Sequence, residues 1–175
     1  FGIVPSQVDG DEMTGFNKIG LTGGAFVERD INEKFFLFTD LAFTMKGSRV
    51  ASSKNIDFNK IELTTNYIDW GLYAGYRLND KISLKAGLIP SVLIYQKQMT
   101  AGGFESLYEN PFRAFNLLFS GGANYRFSKH FSINASYNYS ITSIRPGELV
   151  IIDTHIGVSN AQYHHYLNFS LMYHF

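Results

Sequence analysis

Apolar and polar residues alternate with a period of two along most of this chain. From Phe131 to Thr142 the odd positions Phe131, Ile133, Ala135, Tyr137, Tyr139 and Ile141 form one face, and Ser132, Asn134, Ser136, Asn138, Ser140 and Thr142 form the other. A helix would scatter these residues around its axis, whereas an extended strand separates them. The pattern returns at the C-terminus, where Tyr163, His165, Leu167, Phe169, Leu171, Tyr173 and Phe175 share a face opposite Gln162, His164, Asn168, Ser170 and His174. Segments 34–46 and 114–127 behave in the same way, with Phe35, Leu37, Leu41, Phe43 and Met45 opposite Asp40, Thr44 and Lys46 in the first. The pattern predicts strands over 1–8, 17–29, 34–46, 61–78, 82–98, 114–127, 131–144 and 161–175. The first is short and carries Pro5.

Strand length and loop length then discriminate between architectures. Strands in soluble domains commonly run to about five or six residues, and a tilted strand needs roughly ten to cross a bilayer. Most of the segments here exceed both lengths. Tight polar turns at 30–33, 79–81 and 128–130 alternate with longer Gly-, Ser- and Asn-rich stretches near 9–16, 47–60, 99–113 and 145–160. Short periplasmic turns alternating with long outer loops are the asymmetry of outer-membrane barrels. The expectation is one all-β domain spanning 1–175, an eight-stranded antiparallel up-and-down transmembrane β-barrel with a short first strand, as a truncated start would leave it. Both termini would then lie on the periplasmic side, and the terminal aromatics Tyr173 and Phe175 would serve as the assembly signal read by the barrel-assembly machinery.

Composition narrows the function. Fifteen basic residues balance 15 acidic ones, which argues against a nucleic-acid partner. The chain has no cysteine, so disulfides and thiolate metal sites are excluded. No apolar stretch approaches the roughly 18 residues of a spanning helix; Leu88 to Tyr95 is short and carries Pro90 and Ser91. Phe1 opens no signal-peptide pattern, as expected of a processed chain or one lacking its first mature residues. Aromatics cluster towards strand ends on the apolar faces (Phe35, Trp70, Tyr76, Tyr125, Phe127, Phe131 at one end, Phe43, Tyr139, Tyr163 at the other), as interfacial girdles do.

In an outer-membrane barrel the apolar face meets lipid and the polar face lines the lumen. The polar faces carry Lys18, Glu28, Asp40, Lys46, Asp69, Arg77, Lys85, Lys97, Arg126, His164 and His174. Buried charges must be paired, so Asp40, Asp69, Arg77, Lys85 and Arg126 are expected to form a lumen charge network. With the inward Phe26, Phe36, Phe38 and Tyr166 they would plug the narrow tube of an eight-stranded barrel. Other candidates carry less. Asp9-Gly10-Asp11-Glu12 lacks calcium-loop spacing and reads as a turn. Asp153, His155 and Ser159 share a loop without a Gly-x-Ser-x-Gly element, and His164 and His165 point to opposite faces. No catalytic residue, cofactor or metal site is therefore expected. The apolar run Leu149-Val150-Ile151-Ile152 inside the last long loop is a candidate partner-contact surface.

Motifs across the chain also resemble a known family. Gln7-Val8-Asp9-Gly10-Asp11, Gly15-Phe16-Asn17-Lys18-Ile19-Gly20, Lys46-Gly47-Ser48-Arg49, Tyr67-Ile68-Asp69-Trp70, Tyr137-Asn138-Tyr139-Ser140-Ile141, Ile144-Arg145-Pro146 and Tyr173-His174-Phe175 occur in the order seen in the PorT-like outer-membrane barrels of Bacteroidetes. That family's first strand is usually longer and richer in glycine than Phe1-Gly2-Ile3-Val4-Pro5. The resemblance implies an eight-stranded outer-membrane barrel and no single activity; members include parts of secretion machinery. The functional expectation is a structural or accessory subunit of an envelope complex for secretion, barrel assembly or uptake. Its partners would be outer-membrane lipid and other envelope proteins. The alternatives are a small-ligand or lipid-binding barrel and, further off, an outer-membrane hydrolase or acyltransferase.

Overall fold

Long alternating strands with no helix among them can satisfy their backbone groups in lipid only by closing on themselves, and the computed structural model of the chain is closed. It describes residues 1–10, 15–49, 62–99, 112–145, 149–152, 155–158 and 161–175, of which 149–152 and 155–158 are described in backbone alone. The strands are β1 (Gly2–Asp9), β2 (Lys18–Asp30), β3 (Phe35–Arg49), β4 (Glu62–Arg77), β5 (Ile82–Met99), β6 (Phe115–Arg126), β7 (Phe131–Ser140), β8 (Leu149–Ile152), β9 (His155–Val158) and β10 (Tyr163–Tyr173). Eight of them form a closed barrel in the order β1-β10-β7-β6-β5-β4-β3-β2, and β8 pairs with β9 in a separate hairpin. Every neighbouring pair is antiparallel. Among the described residues no helix is long and apolar enough to cross a membrane.

The short turns are built from local chemistry. Asn32 Oδ1 accepts from the amides of Lys34 and Phe35 at 2.9 and 2.8 Å. Asn79 Oδ1 does the same for Lys81 and Ile82 at 2.9 and 2.8 Å. These Asx turns tie β2 to β3 and β4 to β5 without a long loop. Phe1 and Phe175 lie at the same end as these turns: the Phe1 amine donates to Leu171 O, and the His174 amide donates to His130 O in the β6–β7 turn.

The register fixes which face looks where. Phe169 and Tyr137 are 42% and 46% exposed, and Leu41, Trp70, Phe119 and Ile133 also point outward. Ser132, Asn134, Asn138 and Ser140, the polar partners of the outward β7 residues, are buried inside. A continuous apolar exterior around a polar interior is the inverse of a soluble fold. The aromatic band at the tight-turn end packs edge to face and in stacks, with Phe131 at 5.3 Å from Tyr173 and Tyr173 at 5.1 Å from Phe175. Phe35 lies 5.1 Å from Tyr76.

One expectation fails locally. The β4–β5 register slips between Asn66 and Tyr67, so Tyr67 faces Leu93 and Asn66 faces Tyr95. The extra residue, Ile94, is a β-bulge that reverses the inside-outside phase of the rest of β5. Lys97 therefore pairs opposite Thr64, on the outward-facing parity of β4, and leaves the lumen face where simple alternation puts it.

Candidate functional site: the plugged lumen

All five predicted lumen residues sit on inward positions, but they do not form one network. The interior is arranged in tiers. In the middle tier Lys46, with its side chain fully buried, pairs with Asp69 at 2.8 Å. The Ser91 hydroxyl donates to the same carboxylate at 2.6 Å, and the Tyr166 hydroxyl donates to its other oxygen at 3.4 Å. The Lys46 ammonium also lies over the rings of Tyr67 and Tyr166, 4.6 and 4.9 Å from their centroids. Asp69 thus pairs with Lys46 rather than with Arg77 or Lys85.

Towards the tight turns, Arg77 donates to Glu28 at 2.6 Å and to Asp30 at 2.5 Å, with its guanidinium 4.9 Å from the Phe36 ring centroid. Arg126 is 3.8 Å from Glu28 and 3.5 Å from His174 Nδ1. Between these tiers lie Asp40 and Lys85. Asp40 accepts from the Gly71 amide at 3.1 Å, and Lys85 rests against the Phe38 and Tyr73 rings at 3.9 and 4.7 Å from their centroids.

Aromatic and aliphatic side chains fill the remaining space. Val4, Phe36, Phe38, Tyr73, Ile89, Leu118, Tyr166 and Met172 form one buried cluster, with Phe26 packed against it. Gly75 makes room for this packing, since a Cβ there would lie 2.1 Å from Phe36 Cζ. A second cluster of Val8, Leu63, Phe112 and Ile144 closes the long-loop end. Below it His164 is buried, with Nε2 3.2 Å from the Thr65 hydroxyl. A lumen blocked at successive levels by ion pairs and rings carries no wide stream of ions. Planar-bilayer recordings of the purified barrel are expected to show no large, stable conductance steps, and such steps would refute the closed plug.

At the long-loop rim Lys18 bonds Glu62 and the Thr64 hydroxyl, and Arg49 pairs with Glu62 at 2.8 Å. Burial pushes the Glu62 carboxyl up, but Lys18 and Arg49 outweigh it and hold the group below its ordinary value of 4.5. A carboxylate depressed in the folded state contributes stability above its unfolded value and loses it as pH falls through the folded one. Glu62→Gln is therefore expected to remove an acid-side loss of stability, read as a smaller change in the unfolding midpoint between neutral pH and pH values below 4.5.

Several sequence candidates fall elsewhere. Asp9 Oδ2 lies 3.0 Å from His165 Nδ1, while Asp11 and Glu12 lie outside the described residues, as do Asp153 and Ser159. His165 is on the outward face, stacked on Tyr139 at 6.1 Å, opposite in direction to His164. Among the described residues no group of His, Asp and Glu side chains could hold a metal ion. Leu149–Ile152 forms β8, paired with His155–Val158. Lys46, Glu28 and Asp30 complete the charge tiers; Lys46 and Glu28 are legible as inward by parity, Asp30 reads as part of a turn, and the particular partner each takes is not legible.

Comparison with known proteins agrees with this geometry. The solved structure of Ail, the attachment invasion locus protein of Yersinia pestis in complex with the heparin analogue sucrose octasulfate, superposes with a TM-score of 0.59 at 17% identity, over 99% of this chain and 94% of that one. At that identity the likeness is one of fold. No curated protein matches the chain in sequence. The family model described as outer membrane protein beta-barrel domain matches residues 6–145. With most of its length matched, and a closed barrel that is apolar outside and polar within, the chain belongs to the outer-membrane β-barrel domain family.

Proposed function

We propose that this barrel is a structural or accessory subunit of an envelope complex serving secretion, barrel assembly or uptake, and that it works through its outer loops and not as a pore. The observation that carries the reading is the β8–β9 hairpin, which stands outside the barrel sheet. It aligns Leu149, Val150, Ile151 and Ile152 with Val158, Gly157, Ile156 and His155. An isolated two-stranded hairpin is marginally stable alone, and one this apolar calls for a covering surface. Deleting residues 149–158 and purifying the full barrel from native membranes in mild detergent tests the idea. Co-purifying envelope proteins are expected to fall away while the barrel keeps its heat-modifiable mobility; an unchanged set of partners would exclude this contact.

Within this reading the termini and tight turns face the periplasm, Tyr173 and Phe175 form the signal for the assembly machinery, and the ordered motifs from Gln7 to Phe175 support a PorT-like member of Bacteroidetes. The aromatic packing of Tyr173 against Phe131 and Phe175 is consistent with that end lying at a membrane interface. A lipid chain enclosed in the middle of the lumen is disfavoured by size. The polar chamber there measures about 70 Å³, smaller than an apolar cavity of about 150 Å³ that takes up benzene. The sulfated ligand of Ail belongs to that protein; here Glu62 pairs with both rim cations, Lys18 and Arg49, and offsets one of their two charges.

A further inference from the structure

The bulge at Ile94 changes what the outer wall of the barrel presents at the long-loop end. It turns Lys97 out of the lumen and sets it opposite Thr64. The Thr64 hydroxyl already accepts from the Lys18 ammonium, and Glu62, two residues along the same strand, pairs with Lys18 and Arg49. Residues paired across a ladder share a face, as do residues two apart along a strand. Three cations therefore gather about one carboxylate. Lys97 enters no ion pair among the described residues. Arg113 extends the group onto the next strand. The Leu93 amide donates to Ala114 O, and Val92 stands opposite the outward Phe115, so Arg113, two residues before Phe115, lies beside the bulge on the outward parity. It is exposed and also enters no ion pair among the described residues. On this flank of the rim four basic side chains stand against one described acid.

Below these cations the same wall is apolar: Val92, Ile94 and Phe115 are exposed, and Tyr95 is exposed at their upper edge. A tyrosine above an aliphatic wall marks the level where hydrocarbon gives way to headgroups. Lysine and arginine at that level are drawn to anionic headgroups, and both are phosphate partners. A soluble anion would match the charge and leave the apolar wall uncovered. A lipid without net charge would cover the wall and leave the cations in surplus. We propose that Lys97 and Arg113 hold the phosphate of an anionic membrane lipid whose acyl chains lie along Val92, Ile94 and Phe115. The site needs the outward face to meet hydrocarbon. It depends neither on which side of the membrane the long loops occupy nor on the β8–β9 hairpin.

The test uses the full chain in detergent micelles that hold equal amounts of phosphatidylglycerol and phosphatidylcholine. Lipid retained by the barrel is counted by native mass spectrometry. The wild type is expected to retain phosphatidylglycerol in preference. Lys97→Gln and Arg113→Gln should each lower that preference about fivefold, the worth of one basic residue at an anionic surface, and the double variant should abolish it. Heat-modifiable mobility shows that each variant is folded; if Arg113→Gln loses it, Lys97→Gln alone decides. Lys129→Gln, in the exposed turn at the opposite end, should leave the preference unchanged. The proposal is overturned if the wild type shows no preference or if a folded Lys97→Gln keeps it in full. An equal loss in Lys129→Gln would also overturn it, since diffuse charge would then act in place of a site. Displacement of the lipid by inorganic phosphate at the lipid's own concentration would assign these cations to a soluble anion.

Discussion

Asp69→Ala is expected to destabilise the barrel by about 3–5 kcal/mol, the cost of leaving a buried partner charge uncompensated. The reason lies in what remains. Lys46 is fully buried, and Asp69 is its only salt-bridge partner among the described residues. Its two flanking rings cannot replace a carboxylate. The same change removes the acceptor for the Ser91 and Tyr166 hydroxyls, and each lost buried bond carries a further cost. The measurement is the urea midpoint of folded barrel in lipid vesicles, followed by tryptophan emission from Trp70, the only tryptophan in the chain. The control is Lys46→Met combined with Asp69→Leu. Removing both charges together is expected to restore most of the loss, because replacing a buried pair by apolar groups of similar volume is often neutral. If Asp69→Ala alone unfolds at the wild-type midpoint, the middle tier does not hold the lumen together.

Phe169→Arg is expected to cost about 2–4 kcal/mol, as charges do on the lipid face near the bilayer midplane. Phe169 lies in β10 opposite Ala135 and is 42% exposed outward. Asn168→Arg, one residue away on the inward face of the same strand, exchanges the lipid for a polar chamber. The two variants therefore differ in environment and barely in sequence. A soluble protein would tolerate an arginine at an exposed Phe169 position. Equal stability of Phe169→Arg and wild type in vesicles would mean that this face does not meet hydrocarbon.

Much of this architecture is legible in the chain because a strand has a period of two and a bilayer sets its length. Parity alone places Asp40, Asp69, Arg77, Lys85 and Arg126 inside, and Phe35, Trp70 and Phe169 outside. Parity fails after Ile94, because a bulge depends on how two strands pair and leaves no signature in the alternation of either one. Pairing across the lumen is hidden for a similar reason. Lys46 sits opposite Thr65 in the ladder, and its reach to Asp69 runs diagonally along β4, across a distance set by barrel radius and strand stagger. The hairpin β8–β9 was visible only as an apolar run, since four-residue strands are too short for periodicity to register.

The closure of the barrel between β1 and β10 has a kinetic corollary. Gly2 pairs with Ser170 and Ile3 with Phe169, so the seam joins strands far apart in sequence. Contacts between such distant residues are the slowest to form, because the whole intervening loop must be ordered before they repay it. Until the last strand docks, two open edges carry backbone groups that hydrocarbon cannot solvate. Insertion and closure are thereby obliged to be a single late event, once β10 is available, and a chain stopped short of β10 has no partial barrel in which to rest.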